Sequence, residues 1–265
     1  MTVKKYLAIA LTATLLLLPS VGIKAKSIEA SDILETAATP INYAEIGKPA
    51  SQLVDYEVER DSVAKIFSDE GKVIGEKRTL KNRGDNKEKA LRSEGRLVKV
   101  LAVADEEYRE AHSDWINRVQ RIIESADDIY NSNFSIDFEI DGYGPWNSIG
   151  SNSSALLSNL ASQGYKGYDL VIGFTANPNF TDGGLAYVYT SDPVTGYSLN
   201  VDQDEGSTAK VVRHEVGHNY GIKDHQDSII CINNDNYTYT ATNWDTTHKN
   251  LIASHKTWFG AAVGL

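Results

Sequence analysis

The stretch that decides how this chain folds runs from residue 214 to residue 225: His214-Glu215-Val216-Gly217-His218-Asn219-Tyr220-Gly221-Ile222-Lys223-Asp224-His225. Residues four apart share one face of a helix, so the imidazoles of His214 and His218 can reach a single ion. Glu215 lies between them and can reach a water on that ion. Two ligands plus a general base is the pattern of zinc hydrolases. Gly221 follows three residues after His218, and a third candidate ligand, Asp224, three after that. Glycine accepts the left-handed backbone that ends a helix in a sharp turn. Such a turn can carry a later side chain back to the metal.

The surroundings of the motif read as a helix as well. Asp204 and Glu205 precede it, where anions favour a helix N-terminus, and Ser207 or Thr208 can cap it. At helical spacing, Ala209, Val212, Val216 and Tyr220 form a stripe roughly opposite the two histidines. One face of the helix is therefore expected in a core and the other at the metal.

Working outward, the chain has 265 residues, enough for one good core with an additional segment. A formal net charge of −10 argues against nucleic-acid binding, which needs clustered Lys and Arg. Lys4 and Lys5 precede an apolar run from Tyr6 to Leu18, followed by Pro19, Ser20 and a small-residue site near Ala25. The run is short for a membrane span, so residues 1–25 are expected to be a secretory signal peptide and the product to be extracellular. Cys231 is the only cysteine. An internal disulfide is thereby excluded, and stability must come from the core, which a metal can supplement. Cys231 is expected to be buried and inert.

Residues 26–95 carry few aromatics and many charges. Eleven of the twenty residues from Lys77 to Arg96 are charged, with scarcely any apolar periodicity, as in a solvated linker or weakly packed tail. Ser62–Phe67 and Lys72–Ile74 are expected as short elements. Either a propeptide or a flexible N-terminal arm accounts for this composition. Beyond it, Leu97–Ala104 reads as a buried strand. Ala104–Tyr130 has helical apolar spacing. Phe134, Ile136, Phe138 and Ile140 alternate with polar residues as a half-buried strand does. A helix is expected over 152–163, and strands over Leu170–Phe174, Leu185–Tyr189 and Ser198–Val201. After the motif the chain turns irregular and polar, with Asn233, Asn234, Asp235 and Asn236 in a row. Asp245–Trp258 reads as a C-terminal helix. The expected architecture is α+β, an α/β sandwich: a mixed, twisted sheet with helices packed on it, among them the active-site helix and the C-terminal helix. The domain division is 1–25, 26–95 and 96–265.

The motif and the order of elements over roughly residues 96–265 resemble the metzincin clan of zinc endopeptidases, whose pattern is His-Glu-x-x-His-x-x-Gly-x-x-His, or Asp in the last place. The stretch HEVGHNYG resembles the reprolysin (adamalysin) branch, and Gly184–Val188 its edge strand, which binds substrate as an added antiparallel strand. The ending Asp224-His225 looks more like the snapalysins, small secreted bacterial proteases that use Asp as third ligand. The clan is named for a methionine in a turn beneath the zinc. That turn in the reprolysin branch often reads Cys-Ile-Met; here it reads Cys231-Ile232-Asn233, and Met1 is the only methionine.

The resemblance implies a zinc-dependent endopeptidase. Zn2+ would be held by His214, His218 and Asp224, with His225 as the alternative third ligand, and Glu215 would be the general base. Spacing favours Asp224, whereas the frequency of imidazole among zinc ligands favours His225. Partners would be protein or peptide substrates taken by a monomer, with no membrane contact once the signal is cleaved. The rival reading is a secreted zinc-binding module without catalysis. His112, His248 and His255 lack ligand spacing to the motif and are expected as surface or packing histidines.

Overall fold

The computed structural model describes residues 33–36 (as backbone), 60–80 and 95–263. The expected signal peptide and much of residues 26–95 lie outside the described residues. Among the described residues, no helix is long and apolar enough to cross a membrane.

The sheet grows around β4 (Gly95–Ala104), which pairs in parallel with β5 (Ile136–Pro145) on one side and β6 (Leu170–Thr175) on the other. Beyond β6 come β8 (Gly196–Val201), parallel, and β7 (Gly184–Tyr189), antiparallel. Beyond β5 lies the hairpin of β2 (Ser62–Phe67) and β3 (Val73–Thr79), with β2 parallel to β5. A short strand β1 (Ile33–Thr36) lies antiparallel on β7, and β9 (Ala261–Val263) pairs with the start of β4. The order is thus β1-β7-β8-β6-β4-β5-β2-β3, a mixed sheet.

Both faces of β4 are covered because successive side chains point to opposite sides. Val98, Val100, Ala102 and Ala104 enter one apolar cluster, Leu101 and Val103 another. The first cluster takes in α2 (Trp115–Phe134) through Val119, Ile122, Ile123, Ala126 and Tyr130. It also takes in α4 (Glu205–Asn219) through Ala209, Val212 and Val216. The second cluster takes in α3 (Ser153–Ser162) through Leu156, Leu157 and Leu160. Helices on both faces of one mixed sheet make the α+β sandwich. The stripe anticipated on the motif helix is its core face, and Tyr220 continues it at 0% exposure.

Several boundaries depart from the sequence reading. The segment after β4 is two helices, α1 (Glu106–Ala111) and α2. The Asp105 side chain caps the first through Tyr108 N–H, and the chain turns extended at His112. Phe134 ends α2 instead of opening a strand, and the left-handed Ser135 (φ 55°) turns the chain directly into β5. Most of β5 is buried: Ile136, Phe138 and Ile140 enter the cluster with α2, and Asp137 on the alternate face takes Arg60 at 2.6 Å. The C-terminal helix α5 is short, Thr246–Ser254. Three strands of residues 26–95, β1, β2 and β3, are built into the sheet, and Ala64 of β2 enters the main core cluster.

Candidate metal centre

Helix α4 is fixed at its start by charge. The cap is Asp204, whose side chain accepts the Ser207 N–H at 2.9 Å, and not Ser207 or Thr208. Glu205 in the first turn is 2% exposed. Its carboxylate takes Arg121 Nε–H at 3.0 Å and Arg118 Nη1–H at 3.4 Å, both from α2. A buried carboxylate needs such partners, and here they lock the motif helix against its neighbour. The helix ends at Gly221, φ +86°, with Gly221 N–H on the His218 carbonyl and Ile222 N–H on the Gly217 carbonyl. A side chain there would be strained by the φ and would meet the Tyr189 carbonyl at 3.0 Å.

That turn returns Asp224 to the two histidines. Asp224 Oδ1 lies 3.1 Å from His214 Nε2 and Asp224 Oδ2 lies 3.3 Å from His218 Nε2. The two Nε2 atoms are 3.2 Å apart. Both imidazoles are oriented by their far nitrogens: His214 Nδ1–H donates to the Ile232 carbonyl and His218 Nδ1–H to the Ile222 carbonyl, each at 2.8 Å. With Nδ1 donating, each neutral ring presents its Nε2 lone pair inward. Two lone pairs and a carboxylate, buried and facing one another at about 3 Å, repel unless a cation joins them. The donor set of two imidazoles and a carboxylate suits Zn2+. Burial works to lower the His214 and His218 pKa values, but the Asp224 carboxylate outweighs it and raises both. Burial would raise the Asp224 pKa; the two imidazoles instead hold it far below the carboxylate range.

His225 turns the other way. Its Nδ1 lies 2.8 Å from Asp227 Oδ1, and its Nε2 faces Asp245 at 3.5 Å.

Glu215 is 4% exposed, and its Oε2 makes no hydrogen bond among the described residues. Burial first, then the Asp224 charge, pushes its carboxyl up to about 8, against a lowering by His218. The carboxylate sits at the foot of β7. A Cβ added to Gly184 would fall 2.3 Å from Glu215 Oε1. Gly184 is therefore the clearance that lets the acid lie against β7. Asn219 ties helix to strand from the other end, its Nδ2 donating to the carbonyls of Tyr187 and Tyr197.

Beneath the motif lies Asn233, which the resemblance sets against the clan's turn methionine and which is 0% exposed. Its Nδ2 donates to the His214 carbonyl at 3.0 Å, and its Oδ1 accepts from Trp244 Nε1 at 2.8 Å. The approach is close: a Cβ on Gly217 would meet Asn233 Oδ1 at 2.5 Å. The resemblance drew attention to Asn233, whereas the roles of Gly184, Gly217, Asn219 and Trp244 escaped the sequence reading. The Gly183-Gly184 pair before a strand was the one available signal. His112 pairs with Asp202 at 2.8 Å, and His255 stacks on Trp258 with ring centroids 3.7 Å apart. Tyr239 OH accepts from Gln203 Nε2 at 3.0 Å.

A sheet flanked by helices, with paired histidines, an intervening glutamate and a carboxylate after a glycine turn, is the arrangement of a zinc metallopeptidase of the metzincin clan. The profile of metallo-peptidase family M12 matches residues 94–254, and the chain belongs to that family. Its members are zinc-dependent peptidases. The match does not bear on the likeness of Asp224-His225 to the snapalysin ending. No curated protein matches the chain in sequence. Among solved structures, one titled "Structure of a chaperone-substrate complex" aligns at 14% identity and a TM-score of 0.46. The alignment covers 63% of this chain and 35% of that one, so the chain spans about a third of its length.

Proposed function

We propose that this chain is a secreted zinc-dependent endopeptidase that hydrolyses protein or peptide substrates as a monomer. What carries the reading is the convergence of His214, His218 and Asp224 on one point, with Glu215 beside them at the foot of β7. Zn2+ would be held by the two Nε2 atoms and the Asp224 carboxylate. Direction favours Asp224 over His225, whose ring nitrogens face Asp227 and Asp245. When bound, the ion supplies a Lewis acid and lowers the pKa of a water to about 7. Glu215 Oε2, free of other partners among the described residues, accepts that water's proton and passes it to the leaving amine. A cation nearby also draws the Glu215 carboxyl down towards its ionised form.

The peptide would lie antiparallel along residues 185–189, main chain against main chain. In the full chain that edge is taken: the backbone of Ile33–Thr36 pairs with it, Ile33 opposite Tyr189 and Thr36 opposite Tyr187. This supports reading residues 26–95 as an inhibitory propeptide that obstructs the cleft with a strand and no cysteine. Secretion rests on the signal-like residues 1–25.

The test is casein hydrolysis by the exported protein, with zinc content measured before and after chelation. Glu215→Gln should retain zinc and lose activity by a factor on the order of 10² or more. Asp224→Ala should lose most of its zinc. Wild-type-like turnover in the Gln variant would sink the mechanism, and zinc without cleavage in the wild type would favour a binding module.

A further inference from the structure

The residue that the first site leaves over does not lie idle. His225 Nε2 is buried without a hydrogen-bond partner, although Asp245 Oδ2 lies 3.5 Å away. The same point is faced by Cys231 and His248. Cys231 Sγ is 3.2 Å from His248 Nδ1, and His248 Nδ1 is 3.3 Å from Asp245 Oδ2. The four donor atoms all lie within 4.8 Å of one another. Ligands of a tetrahedral zinc, at bond lengths of about 2.0–2.3 Å, are separated by roughly 3.3–3.8 Å. The spacing here is that of a metal site, and the donor atoms come from four residues spread over 24 positions of sequence.

We infer that His225, Cys231, Asp245 and His248 form a second, structural metal site that takes Zn2+ or a similar borderline-soft divalent cation.

Orientation supports this independently of distance. Asp227 Oδ1 accepts from His225 Nδ1–H at 2.8 Å, which fixes the ring with Nε2 as its lone-pair atom. A carboxylate behind an imidazole is the usual support of a histidine ligand. Asp245 divides its oxygens: Oδ1 accepts the His248 N–H at 2.9 Å and caps α5, leaving Oδ2 towards the cluster. One thiolate, one carboxylate and two neutral imidazoles carry −2, the charge a divalent ion balances. Thiolate and imidazole donors select zinc over calcium or magnesium. The thiol proton is released to solvent on binding.

The site would also serve the first one. His225 adjoins Asp224 in the chain, and Cys231 adjoins Ile232, whose carbonyl orients His214. Between Gly221 and α5 the chain has no helix or strand beyond an isolated bridge from His225 to Asn234. A metal joining its two ends to α5 would do there what a disulfide does elsewhere, in a chain with one cysteine.

The experiment is metal analysis of the full chain together with cobalt substitution. The wild type should hold two zinc equivalents and, loaded with Co2+, show thiolate-to-cobalt charge-transfer absorption in the near ultraviolet. Cys231→Ser should hold one equivalent and lack the band. The double variant His214→Ala/His218→Ala should also hold one equivalent yet keep the band, which separates this site from the catalytic reading. Native Cys231 should resist a thiol reagent until a chelator is added, a measurement that needs no variant. A wild type with one equivalent and no thiolate band, or a Cys231→Ser protein with two, would overturn the inference.

Discussion

Asn233 and Trp244 offer a sharp test of how the floor of the metal centre is built. Both are buried, at 0% and 3% exposure, and the Trp244 indole also packs on Tyr130 and Phe134 at 4.8 and 5.6 Å. Asn233→Ala removes the acceptor of Trp244 Nε1–H and the donor to the His214 carbonyl. Stranding a buried donor costs about 1–3 kcal/mol, and the second bond contributes about 0.5–1.5 kcal/mol, so a loss of about 1.5–4.5 kcal/mol is expected. Trp244→Phe strands the Asn233 oxygen instead and trims the ring. In the double variant neither partner is left unpaired. The two losses should therefore fall short of additivity by about 1–2 kcal/mol. Urea unfolding of the four proteins, at equal zinc and with unchanged m-values, measures this coupling. Additivity within about 0.5 kcal/mol would refute the argument that this amide is held by the indole. The same Asn233→Ala change should weaken zinc binding by about 10–100-fold, because the carbonyl that orients His214 lies one residue away.

Gly184→Ala places a methyl where Glu215 Oε1 and Val211 Cγ1 now lie, at 2.3 and 2.5 Å; turnover should fall at least tenfold, the cost of displacing the base by a few tenths of an ångström, with zinc content unchanged, and loss of zinc instead would place the damage in the helix. Glu124 on α2 is buried near Asp137 and Asp128, and burial first, then those charges, raises its carboxyl from 4.5 to about 8. The folded state therefore keeps a proton that the unfolded chain sheds above about pH 4.5, so this stability is present at low pH and is lost as pH rises to about 8. Glu124→Gln should flatten that decline in urea midpoint between these limits, while an unchanged slope would mean the proton is held elsewhere. Residues 81–94 carry Lys81, Arg83, Lys87, Lys89 and Arg92; limited trypsin treatment should cut there and raise casein hydrolysis, and N-terminal sequencing of the secreted protein should find a start between about residues 90 and 100 if the segment is a propeptide. A fully active product that begins at Lys26 would exclude that role.

The motif helix could be read because several local signals agree on it: acids before it, a 3.6-residue apolar stripe through it and a glycine after it. The identity of its cap could not. Asp204, Ser207 and Thr208 all cap well, and only the fold selects Asp204. The break between α1 and α2 was hidden for a related reason. Apolar residues keep helical spacing across His112–Asp114, and the interruption comes at His112, whose backbone turns extended and whose Nε2 lies 2.8 Å from Asp202 Oδ2, a partner no periodicity encodes. The segments 62–67 and 72–74 were visible as elements, but the pairing of β2 with β5 joins residues far apart, and no periodicity encodes such a partner. His248 lacks ligand spacing to the motif and His225 stood as the alternative third ligand; that the two meet depends on a turn whose path composition does not describe.

The polar run after the motif shows most plainly where pattern reading gives out. Asn233, Asn234, Asp235 and Asn236 suggest solvent, yet Asn233 and Asn234 are both 0% exposed. Without a helix or strand here, backbone groups need other partners, and the amides supply them. Asn234 Nδ2 donates to the carbonyls of Asp227 and Ile229, while its Oδ1 accepts from Asn236 N–H. A methionine at 233 would hold the floor by contact alone and would tolerate almost any apolar neighbour. An asparagine there must be paired on both sides of its amide, so it commits the chain to an indole at 244 and to a glycine at 217 that lets the oxygen approach. The departure from the clan's sequence is therefore spread over three positions, and exchanging Asn233 for Met alone would leave Trp244 Nε1 without an acceptor in a buried site. Restoring the methionine should succeed only together with Trp244→Phe.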